Sequence, residues 1–278
     1  MISKFVKISG SLLVFFWDRL SGVVSRIIGN QPSPGYVVLY YHRIPGGEKK
    51  KFERQMKCIV RWAQPVSVRG TEENPNSRIK VMVTFDDGFQ SVVNNALPAL
   101  LKYNIPSVFF IPSGYLGKKP SWDGVSSDEK EKEKVISASQ LKKLPLDLMA
   151  IGSHSISHPR LPEIHDDAAK REIIKSKSQL ENILGEPVHT FSFPYGAFNE
   201  KHLAWSSEAG YQRVFTSLPV VNYTDSEKFV WGRTSVEPSD WPIEFLLKVH
   251  GAYRWLPAAF ALKAKFRSIY AKISWGDT

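Results

Sequence analysis

The sequence predicts an α/β protein built on a parallel sheet with crossover helices, open or closed into a barrel. Two observations predict it. Short apolar runs alternate with stretches of amphipathic, helical spacing along most of the chain. Residues able to carry chemistry also follow directly after those runs. Asp86 and Asp87 follow Ile79-Lys80-Val81-Met82-Val83, and His154 and His158 follow Leu148-Met149-Ala150-Ile151. In α/β proteins the C-terminal ends of strands are where active sites are built.

Gln31-Pro32-Ser33-Pro34-Gly35 reads as a linker, and Tyr36 to Tyr41 as a strand that ends at His42. A helix over about 51–63 precedes a polar loop, Thr71 to Asn76, and then the strand before Asp86. Ser91 to Tyr103 reads as a helix with an internal proline, and Pro106 to Ile111 as a strand. The charged stretch from Lys118 to Lys134 reads as a surface insertion or lid. Asp166 to Leu184 is an amphipathic helix stopped near Gly185. Thr190 to Phe193 is a strand into Pro194-Tyr195-Gly196, Asn199 to Gly210 a helix, and Arg213 to Thr216 a strand. These readings divide the chain into an amphipathic segment and linker at 1–35, a catalytic domain at 36–238 and a basic helical segment at 239–278.

The 278 residues, 42% hydrophobic, suffice for one large core with appendages. The single cysteine, Cys58, excludes an internal disulfide and reads as a small core hydrophobe. Of the net charge of +10, residues 1–35 carry +3 and residues 245–278 carry +5, so the centre is nearly neutral. That argues against a nucleic-acid groove and for basic ends that meet an anionic surface. The apolar run from Ile8 to Trp17 stops at Asp18 and Arg19, too short to span a bilayer, and no convincing small-x-small cleavage site follows. With Leu20, Val23, Val24, Ile27 and Ile28 it fits an interfacial amphipathic helix, and Trp255 to Trp275 repeats the theme. Two readings follow: peripheral contact with an anionic membrane of the bacterial envelope, which sets the protein on its cytoplasmic face with a periplasmic or secreted location as the alternative, or two helices that pack on the barrel and show an ordinary basic face.

His154 and His158 can ligate one metal through ring nitrogens, with Asp87 as a third, hard ligand. A metal there would lower the pKa of a bound water until it becomes a nucleophile near neutral pH. Neighbouring side chains on extended backbone diverge, which leaves Asp86 free to accept a proton. Gly88 allows a sharp turn after the acids. Taken alone, Asp-Asp-Gly is a turn and the histidines are surface or core residues. Together, each directly after a strand, they point to a metal site.

Thr84-Phe85-Asp86-Asp87-Gly88 and His154-Ser155-Ile156-Ser157-His158-Pro159 resemble the first two motifs of the polysaccharide deacetylases, the NodB-homology domain of carbohydrate esterase family four. The resemblance covers roughly residues 36 to 236 and implies a distorted (β/α)7 barrel. It implies metal-dependent removal of N-acetyl groups from an N-acetylated glycan, with Asp86 as base and Asp87, His154 and His158 as ligands of Zn2+, or of Co2+ or Ni2+. Ser192-Phe193-Pro194-Tyr195-Gly196 is similar to the third motif, in which Pro194 and Tyr195 line the groove and the Tyr195 backbone N–H helps hold the oxyanion. Ser192 departs from the family, where many members carry an arginine that orients the base. The Tyr41-His42 element resembles an exopolysaccharide-biosynthesis branch in which an early histidine is the general acid, so His42 is expected in that role. His250, loosely matching a late Leu-x-His motif, is the alternative. Trp231-Gly232-Arg233 reads as a packing or barrel-closing element, with a place along the acetyl pocket as the other reading. The substrate is expected to be a cell-surface polysaccharide or its lipid-linked precursor. The rival reading is a catalytically silent glycan-binding domain on the same barrel.

Overall fold

The structure, a computed structural model, describes residues 3–28, 35–70, 79–222 and 229–262. The expected loop at 71–76, most of the 31–35 linker and the C-terminal stretch beyond 262 lie outside the described residues.

The chain begins with a long helix, α1 (Lys4–Ile27), and enters the sheet at β1 (Tyr36–Tyr41). Then come α2 (Lys49–Trp62), the two-residue β2 (Gln64–Pro65), β3 (Lys80–Phe85), α3 (Leu97–Tyr103) and β4 (Ser107–Ile111). The short helices α4 (Ser127–Lys132) and α5 (Ala138–Leu141) precede β5 (Met149–Ser153). The series closes with α6 (Asp166–Leu184), β6 (Thr190–Ser192), α7 (Glu200–Glu208), β7 (Arg213–Phe215), β8 (Val230–Trp231), β9 (Thr234–Ser235) and α8 (Pro242–Val249).

All ladders between these strands are parallel, in the order β8-β7-β6-β5-β4-β3-β1-β9, with β2 also on β3. The two ends of that order, β8 and β9, are joined by Gly232-Arg233 alone, so the chain itself brings the sheet edges together. Counting the split pair as one position, the sheet curls into the expected distorted (β/α)7 barrel.

The period-2 alternation of strand side chains sorts the core into two layers. Tyr36, Val38, Met82, Val108, Phe110, Ala150, Phe215 and Trp231 form a cluster inside the barrel. Their neighbours Val37, Leu39, Val81, Val83, Phe85, Phe109 and Ile151 pack outward beneath the helices. Trp231 is thus an interior packing residue, as one of the two readings of its motif expected.

Two elements differ from the sequence reading. The helix expected over 91–103 widens into a π-turn over Val92–Ala96 before α3, and the Leu97 N–H donates to the Val92 carbonyl. Pro98 has no N–H and its ring crowds the preceding turn, which accounts for the loosened ladder. The charged insertion at 118–134 is more than a solvated face, because Trp122 and Glu133 within it are buried. Cys58 is half-buried on α2, packed against the outer core.

Candidate active site

The strand alternation that fills the barrel also aims the site. His42 continues the inward series Tyr36, Val38, Tyr40; Asp86 continues Met82 and Thr84; His154 continues Ala150 and Gly152. Each follows the C-terminal end of its strand, so all reach the barrel mouth. There a cavity of about 400 Å3 is lined by His42, Asp86, Asp87, Trp122, His154, His158 and Tyr195, among others. Pro194 lies buried in the turn beside Tyr195.

Five non-glycine residues among those described have positive φ, and Asp87 (69°), Ser155 (65°), His158 (59°) and Tyr195 (59°) are four of them. Such left-handed backbone costs on the order of 1 kcal/mol per residue and persists where surroundings enforce it. For the histidine turn, Glu172 on α6 enforces it. Its carboxylate accepts from the backbone N–H of Ile156 and Ser157 at 2.7 and 2.8 Å and from the Ser157 hydroxyl at 2.7 Å. The Ser155 hydroxyl accepts from the His158 N–H at 3.0 Å. After the acids, Gly88 turns the chain at φ 65°.

The ligand atoms of Asp87, His154 and His158 all lie within 4.8 Å of one another. His158 Nε2 stands 3.2 Å from both Asp87 Oδ1 and His154 Nε2. The other nitrogen of His154, Nδ1, lies 2.7 Å from the backbone carbonyl of Ser192. An N–H at Nδ1 leaves the Nε2 lone pair for a cation, the usual arrangement of a metal-ligating histidine. Asp87 Oδ1 is buried without a hydrogen bond. An orphan carboxylate oxygen facing two imidazole nitrogens fits a divalent transition metal. Burial alone would raise the Asp87 pKa, but the contacts from His154 and His158 outweigh it and hold the carboxyl far below the usual range. Burial likewise lowers the pKa of His158; on His154 the charges of Asp86 and Asp87 overcome burial and raise it.

Asp86 meets a residue whose role the sequence reading missed. Arg233, fully buried, donates from Nη1 to Asp86 Oδ1 at 2.7 Å and from Nη2 to Oδ2 at 2.8 Å. The same guanidinium donates to Ser192 Oγ at 2.7 Å, Thr84 Oγ1 at 3.2 Å and the Thr216 carbonyl at 3.1 Å. Burial pushes the Asp86 pKa up; Arg233, with its charge and two hydrogen bonds, outweighs this and keeps the carboxyl below its ordinary value. The serine at 192 therefore leaves room for an arginine that arrives from the segment between β8 and β9.

The insertion at 118–134 builds one wall. The Trp122 ring stacks on His158 with centroids 4.6 Å apart, and on Phe89 at 6.1 Å. The Tyr195 hydroxyl donates to the Asp123 carbonyl, and Arg160 lies over the Tyr195 ring at 4.2 Å. Burial pushes the Tyr195 pKa up to about 12 against the charge of Arg160, so the phenol stays protonated. His250 lies elsewhere, at the C-terminal end of α8, against Phe15 of α1 with ring centroids 5.1 Å apart.

The family described as polysaccharide deacetylase matches residues 73–214. YxkH of Bacillus subtilis is 26% identical over 212 residues, 72% of this chain and 71% of that protein. The poly-beta-1,6-N-acetyl-D-glucosamine N-deacetylase of Staphylococcus aureus is 25% identical over 138 residues, 49% of this chain, and the chain spans 47% of that enzyme's length. The structure of IcaB from Ammonifex degensii superposes with a TM-score of 0.64 at 25% identity, over 80% of this chain and 98% of that one. The family match spans half of the chain, and the likeness of fold agrees with it. With acids, imidazoles and arginine converging at the barrel mouth, the chain belongs to the polysaccharide deacetylase family, the deacetylases of carbohydrate esterase family four.

Proposed function

We propose that the protein is a metal-dependent hydrolase that removes N-acetyl groups from amino sugars of a cell-surface polysaccharide or its lipid-linked precursor. One observation carries this reading: a single cavity is lined by a base candidate held by a buried arginine, a histidine beside it and a three-residue ligand set.

Asp87, His154 and His158 would hold the metal, Zn2+ by the nature of the donors, with Co2+ or Ni2+ as alternatives. When bound, it supplies Lewis acidity and a water acidic enough to act near neutral pH. Asp86, kept ionised by Arg233, accepts the proton of the water that attacks the acetamide carbonyl. The Tyr195 backbone N–H steadies the oxyanion in the turn that Pro194 begins. The carbon–nitrogen bond then breaks, and His42 gives the departing nitrogen its proton, leaving acetate and a free amine. His42 lines the cavity whereas His250 packs under α1, which supports His42 as the acid.

The polymer that names the staphylococcal relative, poly-β-1,6-N-acetylglucosamine, is the first glycan to offer. The basic ends of the chain favour a substrate met at the cytoplasmic face of the envelope membrane. The silent-domain reading drew on Ser192, and Arg233 removes that ground. The test is acetate release from β-1,6-linked N-acetylglucosamine oligomers, with and without chelator. Release that chelation stops, zinc restores and Asp86→Asn abolishes supports the reading. A zinc-loaded protein inert toward N-acetylated glycans of every linkage overturns it.

A further inference from the structure

Helix α1 has two faces, and only one is used by the fold. Lys4, Ser11 and Asp18 recur every seventh residue and so share a face. Lys4 pairs with Glu244 at 2.7 Å, Ser11 Oγ accepts from Trp255 Nε1 at 3.0 Å, and Asp18 receives both ends of Arg254 at 2.7 and 2.5 Å. Between these anchors Ile8, Leu12 and Phe15 pack on Leu247, Ala252, Tyr253 and Leu256. A Cβ at Gly10 would sit 2.6 Å from the Trp255 ring, so close approach depends on that glycine. The helix is thus held in one rotational setting by polar contacts along its length.

Two residues further, about 200° round the helix, a second series recurs at the same interval: Leu13, Leu20 and Ile27. With Phe5, Phe16 and Trp17 these side chains are between 62% and 78% exposed. The strip runs on to exposed Trp241 and Ile243 at the start of α8, where Phe5 meets the Trp241 ring edge at 5.8 Å. An apolar face of this size on a helix already anchored by its other side calls for a partner.

Charge decides which partner. Besides Lys4, which Glu244 neutralises, the helix holds Lys7, Arg19 and Arg26 against one acid, Asp18, and Arg254 occupies that acid. A second copy would bring the same cations together. A bilayer with anionic headgroups would meet them with opposite charge while its acyl region takes the apolar strip, and Trp17 and Trp241 are suited to the boundary. Among the described residues no helix is long and apolar enough to cross a membrane. We propose that α1, docked on α8 through Lys4, Ser11 and Asp18, lies in the plane of an anionic lipid surface with Leu13, Phe16, Trp17, Leu20 and Ile27 inserted. This does not depend on the catalytic reading.

The test is cosedimentation of the full chain with vesicles of phosphatidylcholine alone or mixed with phosphatidylglycerol. Leu13→Glu/Leu20→Glu is run beside it, because it alters the outward face and leaves the anchors. Wild type is expected to pellet with the anionic vesicles, at least ten-fold more than the double variant and than wild type on phosphatidylcholine. An unchanged thermal midpoint shows the variant folded; should it unfold, Leu13→Ser/Leu20→Ser is read in its place. Equal pelleting of wild type and variant overturns the proposal, as does wild type left in solution with anionic vesicles. A wild-type dimer that the variant reduces to monomer, without binding to either vesicle, also overturns it and assigns the face to a second copy. Acetate release is scored separately, so the outcome is independent of substrate choice.

Discussion

Arg233 and Asp86 lie 147 residues apart in the chain and form a closed bidentate pair at the barrel mouth, 2.7 and 2.8 Å between partners. All the N–H donors of this guanidinium are engaged: Thr216 takes Nε, Thr84 and Asp86 share Nη1, and Asp86 and Ser192 share Nη2. A planar, fully satisfied fork fixes which way the carboxylate points.

Arg233→Ser is expected to lower kcat by about 10²- to 10³-fold with a smaller effect on KM, since it disturbs Asp86, the proposed base, rather than contacts to the proposed substrate. It also leaves a buried carboxylate alone, at a cost of about 3–5 kcal/mol in stability. The swap Ser192→Arg/Arg233→Ser returns a guanidinium from the neighbouring position, where many family members carry it. Steady-state kinetics should show the swap at least ten-fold more active than Arg233→Ser. A swap no better than the single variant would mean that position 192 cannot aim an arginine at Asp86 in this barrel.

Metal content separates the proposed ligands from the proposed base. Asp87→Ala and His154→Ala should each lower the zinc retained after dialysis to a small fraction of wild type and remove acetate release. Asp86→Asn should retain zinc as wild type does while losing release, because Asp86 points to Arg233 rather than into the ligand set. Elemental analysis beside the activity assay checks this. Loss of zinc from Asp86→Asn would show that the two carboxylates act as one site.

The residues that were legible in the sequence are those whose role follows from local pattern. Asp86, Asp87, His154 and His158 follow the ends of apolar runs; strand alternation carries Asp86 and His154 to the mouth, and left-handed turns bring Asp87 and His158 to it. His42 ends the first strand in the same way. The Trp231-Gly232-Arg233 segment was legible as a packing or barrel-closing element, but nothing local named the partner of Arg233; only closure of the sheet between β8 and β9 brings it to Asp86. Ser192 marked a departure from the family motif, which left the tuning of Asp86 open and gave the silent-domain reading its ground. Trp122 was obscured by the charges around it. Glu172 read as one more polar position on an amphipathic helix, and its three bonds to the histidine turn depend on how α6 packs beside β5.

Glu172 therefore supports its own prediction. It touches no proposed ligand atom, yet it holds the backbone that sets the His154–His158 spacing. Glu172→Ala strips acceptors from the Ile156 and Ser157 N–H groups and should weaken zinc affinity by about 10- to 100-fold, as loss of supporting contacts does at metal centres. Glu172→Gln, which still offers a carbonyl oxygen, should recover most of that affinity. Competition with a chromogenic chelator measures both. Equal affinities for wild type and Glu172→Ala would show that the histidine turn keeps its shape without α6.

His250 gives the docking of α1 a pH dependence of calculable sign. Burial is the main cause that lowers its pKa, the charge of Arg19 adds to it and Asp18 opposes, leaving it at about 4. Released from under Phe15, the imidazole would return to about 6.5. Above that value it is neutral whether α1 is docked or not, and docking has its full strength. As pH falls from about 6.5 to about 4, the undocked state takes up a proton that the docked state does not, so docking weakens through that window. The loss is complete below the docked value and amounts to at most about 3 kcal/mol. Hydrogen exchange of the α1 amides, followed between neutral pH and pH 4 and corrected for intrinsic rates, should show protection falling in that window. His250→Phe, which cannot take the proton, should flatten the dependence. Protection that falls equally in both proteins would assign the effect to other groups along the α1 interface.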